Sequence, residues 1–389
     1  MKILHVVPSL SLLTGGPSKS VPALCDALAK SGHEVVLFST CWPERNQQSY
    51  LRDCMKITDG LQINLFSTVS VALFPNLPYS PSLLEAVAVN YKHFDIVHVH
   101  SLWNPIATFA MNRLRRRGMK YCVTPRGMLD PIVFDKRRWK KKLWATVWEQ
   151  ANIEGASFIH FTAQEEARRA HHCNWRINNS IVVPNIIDVD EWKSLPSKSL
   201  FERKFPMTQG REIILFVGRI NWVKNLDKLL DAFALVHKKR PSAMLVFVGP
   251  DNEGYAKVIW KKAEGLGLHK HILFTGMQKG EMLKSAYACG RAFALVSQKE
   301  NFGLSAAEAL ASGLPIVLSE GVNMGMEWVA NNVVRRVSTL PNDIANAIFT
   351  ILETTSHGLP NAEAQALASR EWGVSSLGRL LDAYESAIA

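Results

Sequence analysis

The sequence predicts an α/β fold made of two Rossmann-like domains, each a doubly wound parallel sheet, facing a cleft. Three observations predict it. Short apolar runs bounded by Gly and Pro recur along the 389 residues and alternate with stretches of helical period. Several of these runs pass into a glycine-bearing loop that opens a helix, the pattern of βαβ units and parallel strands. A polar stretch, Glu191–Gly210, carries Pro196 and Pro206 and divides the pattern in two, which predicts domains at 1–192 and 193–370 and a terminal segment at 371–389.

Taken in order, Lys2–Val7 is an apolar strand, Ser9–Ser18 a loop with paired Gly15 and Gly16, Val21–Lys30 a helix stopped by Gly32, and Val35–Ser39 a second strand. Gly15-Gly16 lacks the G-x-G-x-x-G spacing of dinucleotide sites, and by itself reads as a turn. Residues 41–90 are punctuated by Pro75, Pro78 and Pro81 and give no clear period. Asp95–His100 (D-I-V-H-V-H) is a buried strand whose end carries His100, a structural histidine or a ligand contact, since open α/β sheets bind ligands beyond their strand C-termini. Tyr121–Thr124 runs into Pro125-Arg-Gly-Met-Leu, where Arg126 faces either a phosphate or acidic group or an ion-pair partner within the loop. Phe158–Phe161 leads to Thr162 and Glu165, spaced as a capping box.

In the second half, Ile213–Val217 precedes Gly218-Arg219 and, five residues on, Lys224, before a helix marked by Leu226, Leu229, Leu230 and Phe233. A planar guanidinium and a point-charge ammonium on one strand-to-helix loop suit a diphosphate. Met244–Val248, Ile272–Thr275, Ala292–Val296 and Pro315–Leu318 are further strands, and one helix is predicted from Ser369 to Ala389. Between the last two strands, Glu300 lies in a turn and Glu308 on the helix Ser305–Ala311. The backbone N–H groups around Gly303, Leu304 and Ser305 stand at a helix start, where unpartnered donors bind phosphate. Phosphate donors beside two carboxylates suit a ligand that is both phosphate and sugar.

Composition narrows the classes. No apolar run reaches the roughly 20 residues a membrane helix needs. The start, Met1-Lys2 before an apolar run, has one Lys, Pro8 and a glycine loop, which reads as a first strand rather than a signal peptide and predicts a cytoplasmic chain. Six scattered cysteines, with no C-x-x-C, predict reduced thiols. The formal charge of +11 is concentrated: residues 92–142 hold 13 Lys/Arg against 3 Asp/Glu, with Trp139, Trp144 and Trp148 interleaved. That segment, 113–148 in particular, suits the anionic inner face of a cytoplasmic membrane; an acceptor-anion site or a plain solvated face is the alternative. Nucleic acid is disfavoured because no helix-turn-helix, zinc-finger or RNA-recognition signature accompanies the charge.

The string S-Q-K-E-N-F-G-L-S-A-A-E at 297–308, with D-I-V-H-V-H, G-R-x4-K and V-V-P-N-I-I-D, resembles the retaining glycosyltransferases of family GT4, which have the GT-B fold. P-R-G-M-L is similar to a subset of that family from polysaccharide biosynthesis. The resemblance implies a nucleotide diphosphate-sugar donor, UDP-sugar favoured over GDP-sugar, and a carbohydrate or polyprenyl-linked saccharide acceptor. No cofactor and no metal ion are implied. It implies that Arg219 and Lys224 grip the diphosphate, that Glu300 and His100 orient the sugar and that Glu308 holds the ribose. Gly15, Gly16, Gly303, Leu304 and Ser305 would approach phosphate, and the terminal segment 371–389 would pack back on the first domain. The sequence departs from the family pattern at Ile186 and Asn225, where Gly is usual, and at Arg291 and Val296, where Asp and Pro are usual. An epimerase on the same fold, or a non-catalytic scaffold binding membrane or nucleic acid, is the rival reading.

Overall fold

The computed structural model describes residues 1–43, 60–71, 77–130, 142–172, 175–325, 333–354 and 360–389. These form two compact units, Met1–Ile187 joined by Val374–Ala389, and Asp188–Gly373.

The first unit is built on seven parallel strands: β1 (Lys2–Val6), β2 (Glu34–Ser39), β3 (Leu61–Leu65), β4 (Ile96–His100), β5 (Tyr121–Thr124), β6 (Phe158–Phe161) and β7 (Ser180–Val182). Their order is β3-β2-β1-β4-β5-β6-β7. β4 and β5 are buried along their whole length, which is why they read as apolar runs without alternation. One face carries Leu4, Val97, Val99 and Val123 under the helices Pro81–Asn90 and Pro105–Arg116. The other carries Ile3, Ile96 and Phe158 under the helix Pro17–Lys30 and the C-terminal helix Gly378–Ile388.

The second unit has six parallel strands, β8 (Glu212–Val217), β9 (Ala243–Val248), β10 (Ile272–Phe274), β11 (Gly290–Leu295), β12 (Ile316–Ser319) and β13 (Val334–Val337), ordered β10-β9-β8-β11-β12-β13. Both sheets reverse their winding once, between β1 and β4 and between β8 and β11. At such a point the connections diverge to opposite faces and leave a crevice at the strand C-termini, where open α/β sheets take ligands.

Three local expectations need correction. The polar stretch from Glu191 is not a plain linker: Val189–Lys193 and Ser199–Lys204 are short helices, and Phe201 is fully buried with its N–H on Ser285 Oγ at 3.0 Å. The Thr162–Glu165 capping box is not formed. Glu166 Oε2 instead accepts from Thr162 N and Oγ1 (2.8 and 2.9 Å), while Glu165 pairs with Arg168 and Arg169. The single helix over Ser369–Ala389 is two helices, Ala362–Trp372 and Gly378–Ile388, separated at Gly373 by extended backbone and a 3₁₀ turn. Most of the basic run at 136–142, with Trp139, lies outside the described residues.

Candidate active site

In the second unit the loops leaving β8 and β11 converge. Val217 hands over to Gly218 and Arg219, then a 3₁₀ turn Trp222–Lys224 and Asn225, which caps the helix Leu226–Lys239 in the left-handed region at φ 51°. Gly249 is obligatory beside this loop: at φ 152° a Cβ there would lie 1.9 Å from Gly218 O. Lys224 Nζ donates to Glu300 Oε2, and both side chains are mostly buried (13% and 22% exposed). Arg219 is exposed and makes no ion pair among the described residues. The two loops are stitched by backbone as well, Gln298 N to Val223 O at 2.8 Å.

Gly303 (φ 88°) turns the chain into the helix Leu304–Ala311, whose first N–H groups at Leu304 and Ser305 have no acceptor within the helix. Glu308 sits on that helix, buried, and Tyr287 OH lies 2.8 Å from its Oε2 and 3.1 Å from Ser305 O. Burial and the neighbouring carboxylate push the Tyr287 hydroxyl well above its ordinary pKa, so it keeps its proton and donates it. Trp192 packs edge-on against the Tyr287 ring at 5.1 Å. The second unit therefore brings Lys224 and Glu300 together beside Gly303 and the helix that carries Leu304, Ser305 and Glu308, with Arg219 on the same loop as Lys224.

The other candidates belong to the first unit. Gly15 takes φ 104°, and Gly16 precedes Pro17 at the start of the helix Pro17–Lys30. Parallel pairing sets His5 opposite His98 and His100 opposite Thr124. His98, His100, Thr124 and His160 thus share one sheet face with His5, and all are buried.

The protons in this cluster follow from its one fixed acceptor. Val183 O can only accept, so His160 carries its proton on Nε2 and donates it (2.8 Å). His160 Nδ1 then accepts from Thr124 Oγ1 (3.1 Å), Thr124 accepts from His98 Nε2 (2.6 Å), and His98 Nδ1 accepts from Tyr384 OH (2.6 Å). Arg126 donates to His100 Nδ1 (3.3 Å), so His100 Nε2 donates to His5 Nδ1 (3.0 Å). All four imidazoles are neutral. Burial, aided by Arg126, brings His5 down to about 3; burial brings His160 to about 3 against the opposing effect of its bond to Val183; and His98 and His100 fall well below the usual value, again chiefly through burial.

His5, His98 and His100 form the one histidine grouping with metal-like spacing among the described residues. Its lone pairs do not converge, because each ring nitrogen of His98 and His100 already faces a protein partner. Contact between His100 and a sugar would require Arg126 or the ring to move.

Sequence reasoning missed Tyr287, Asn185, Ser20, His5, His160 and Tyr384. A signal existed for His5 and His160: each is a polar residue within an otherwise apolar strand.

Two nucleotide-type α/β units, one with a cation and carboxylate set at its switch point, define the class: a GT-B protein. Comparison with known proteins agrees. The Glycosyl transferase 4-like domain model matches residues 15–185, and the Glycosyl transferases group 1 model matches residues 197–366. The chain belongs to the GT4 glycosyltransferase family. Its relatives include the D-inositol 3-phosphate glycosyltransferase of Mycolicibacterium smegmatis, 28% identical over 62% of this chain and 56% of that protein. A phosphatidylinositol N-acetylglucosaminyltransferase chain of Homo sapiens is 23% identical over 88% of this chain and 67% of its own length. The chain thus spans little more than half the length of the first of these relatives. Among solved structures, HepE of Anabaena in complex with UDP and glucose has a TM-score of 0.76 at 20% identity, covering 99% of each chain. Sucrose-phosphate synthase of Thermosynechococcus elongatus has 0.79 at 18% identity, covering 100% of each. No helix of the described residues is long and apolar enough to cross a membrane.

Proposed function

We propose that this chain transfers a sugar from a nucleotide diphosphate-sugar to a hydroxyl of a carbohydrate or lipid-linked acceptor, with retention at the anomeric carbon and without a metal ion. The observation that carries the reading is the Lys224–Glu300 pair at the ends of β8 and β11, next to the start of the helix Leu304–Ala311, with exposed Arg219 on the Lys224 loop. As the bond from the anomeric carbon to the diphosphate breaks, its electron pair passes to the leaving phosphate. Lys224 and Arg219 meet that developing charge. The acceptor oxygen bonds the same carbon on the same face, and its proton passes to the leaving phosphate oxygen, so no protein nucleophile is consumed. Lys224 has three N–H donors, and Glu300 uses one of them. Glu300 fixes the ammonium and turns its second oxygen to the sugar; Glu308 takes the ribose hydroxyls; Gly15 and Gly16 face phosphate.

The donor is a UDP-sugar in preference to a GDP-sugar, a choice supported by HepE, whose structure contains UDP. The acceptors named for the relatives are inositol phosphate and phosphatidylinositol, which supports a hydroxyl-bearing acceptor with or without a lipid. A role in surface or exopolysaccharide assembly fits the P-R-G-M-L segment. Exposed Leu143 and Val147, one helical turn apart beside the basic stretch, support a peripheral place on an anionic membrane. Flotation with phosphatidylglycerol vesicles, absent with Leu143→Ser/Val147→Ser, checks that part.

The transfer reading is tested by a thermal-shift screen against UDP, GDP, ADP and their common sugars, with Arg219→Ala/Lys224→Ala as control. A ligand at 100 times its Kd stabilises by about 2.7 kcal/mol. One nucleotide should raise the midpoint in the wild type alone, and its sugar should be transferred only when acceptor is added. Turnover without acceptor would favour an epimerase. No response to any nucleotide would favour the scaffold.

A further inference from the structure

The first unit holds a cation that its own fold does not neutralise. Arg126 leaves β5 in left-handed backbone (φ 58°), a conformation that costs an ordinary side chain energy, and its guanidinium reaches three acceptors. These are Asn185 Oδ1, Ser20 Oγ (3.1 Å) and His100 Nδ1 (3.3 Å). All three are neutral, since the tautomer of His100 is set by Arg126 itself. The ion-pair reading of this arginine fails: no carboxylate lies within ion-pair distance of it among the described residues. Glu166 is the acid with the largest electrostatic effect on it, yet its oxygens are turned to Gly127 N (2.5 Å) and to Thr162. Arg126 Nε has no hydrogen-bond partner among the described residues.

Proteins bury a guanidinium beside neutral acceptors at a cost, and the usual remedy is a carboxylate. Here no carboxylate pairs with the guanidinium directly, Glu166 being turned to Gly127 and Thr162, and four uncharged histidines share its surroundings. The three acceptors come from separate segments, the helix Pro17–Lys30, the end of β4 and the loop after β7, so they hold the fork in one orientation at the C-terminal edge of the sheet. The residue as a whole is half-buried. A planar, oriented, uncompensated cation at that edge matches a phosphate oxygen pair.

We propose that Arg126, held by Asn185, Ser20 and His100, forms an anion subsite that takes a phosphate or diphosphate group of a substrate. It rests on the transfer reading only for what carries that phosphate, the nucleotide donor or a phosphorylated acceptor. Asn185 and Ser20 are positioning residues, and Arg126 is the contact.

The experiment titrates the full chain by calorimetry with inorganic pyrophosphate, with and without saturating UDP, and with UDP alone. Wild type is compared with Arg126→Gln and Asn185→Asp. The second variant is nearly isosteric and places a carboxylate on the guanidinium, so it neutralises the cation while adding an ion pair to the fold. A purely structural arginine would be helped by that change, whereas an anion site would be lost. Pyrophosphate affinity is expected to fall at least tenfold in both variants. If pyrophosphate still binds with UDP present and UDP affinity is unchanged in the variants, the phosphate is the acceptor's. If the two compete and the variants weaken both tenfold, it is the donor's. Should Arg126→Gln fail to fold, Asn185→Asp alone decides. No pyrophosphate binding to the wild type, or affinities within twofold of wild type in both variants, would overturn the subsite. Arg126-dependent pyrophosphate binding with no affinity for any nucleotide diphosphate would instead overturn the transfer reading and leave the subsite standing.

Discussion

Asn225 Nδ2 donates a 3.0 Å hydrogen bond to the carbonyl of Val296, joining two positions at which this sequence departs from the GT4 pattern. Asn225 also takes the left-handed angle that the usual glycine would supply, φ 51°. The side chain therefore adds a tie between the Lys224 loop and the strand leading to Glu300, at a backbone angle asparagine tolerates.

Replacing Asn225 separates the two contributions. Asn225→Gly keeps the angle and loses the bond, a cost of about 1 kcal/mol. Asn225→Ala loses the bond and also the amide that lets asparagine tolerate the left-handed angle, so against the Gly variant it carries a Cβ penalty of about 1–2 kcal/mol. Urea unfolding should rank the variants in that order, wild type most stable. Equal stability of the Gly variant and the wild type would show that the bond contributes nothing.

Lys224 and Glu300 should not rescue each other. Removing a single preorganised charge contact of this kind lowers kcat by about 100- to 1,000-fold, and Lys224→Ala and Glu300→Gln should each do so. If their only role were mutual neutralisation, the double variant would recover to within about tenfold of wild type, because neither charge would be left unpaired. A double variant as slow as the worse single one is expected, measured as initial rates with the donor found in the screen.

Tyr287 should act on donor binding through Glu308. Tyr287→Phe removes the donor to Oε2, and a hydrogen bond to a charged group contributes about 1.5–3 kcal/mol. A ribose contact is the same in ground and transition states, so KM for the donor should rise roughly tenfold with kcat within twofold. Wild type should also discriminate against a 2′,3′-dideoxy nucleotide, and the variant should lose part of that discrimination. Unchanged discrimination would mean that Tyr287 only fills space.

The central strands were legible because they are buried on both faces and so stand out as apolar runs between glycine loops; β8 and β9 have no exposed position at all, whereas the edge strands β3, β7 and β13 are only partly buried and were not expected from the sequence. The second unit's candidate site was legible for a related reason: Arg219 and Lys224 lie close in sequence on one loop, and Glu300 lies in a turn just before the helix that carries Glu308. The first unit's cluster was not. His98 meets Tyr384 across 286 positions, and Arg126 meets Asn185 across 59, and no local period encodes such a pairing. The short helices at 189–204 span too few turns to show a period. Glu166 rather than Glu165 ties back to Thr162 because Arg168 and Arg169 claim Glu165, a competition that spacing alone does not reveal.

The histidine cluster should make the fold sensitive to mild acid. His5 and His160 are brought down to about 3 and His98 and His100 well below 6.5, so in the folded chain all four stay neutral where the unfolded chain protonates. The unfolded state then binds more protons, and stability rises with pH. The contribution is full above pH 6.5 and is lost as pH falls from there toward about 3. Each histidine contributes up to about 1.4 kcal/mol per pH unit below its unfolded pKa. At pH 5.5 this effect stands apart from the acids. Glu165 and Glu212, held at about 2 by their arginines, lose their contribution only at lower pH, and Glu149, raised chiefly by burial, has the opposite sign. Urea midpoints at pH 7.5, 6.0 and 5.0 should drop steeply over the last interval, with uptake of more than two protons on unfolding near pH 5.5. His160→Gln, which retains a donor for Val183 O, should lower that uptake by about one. Uptake of one proton or fewer in the wild type would mean that the cluster accepts charge while folded, and the directional chain from Tyr384 to Val183 would be wrong.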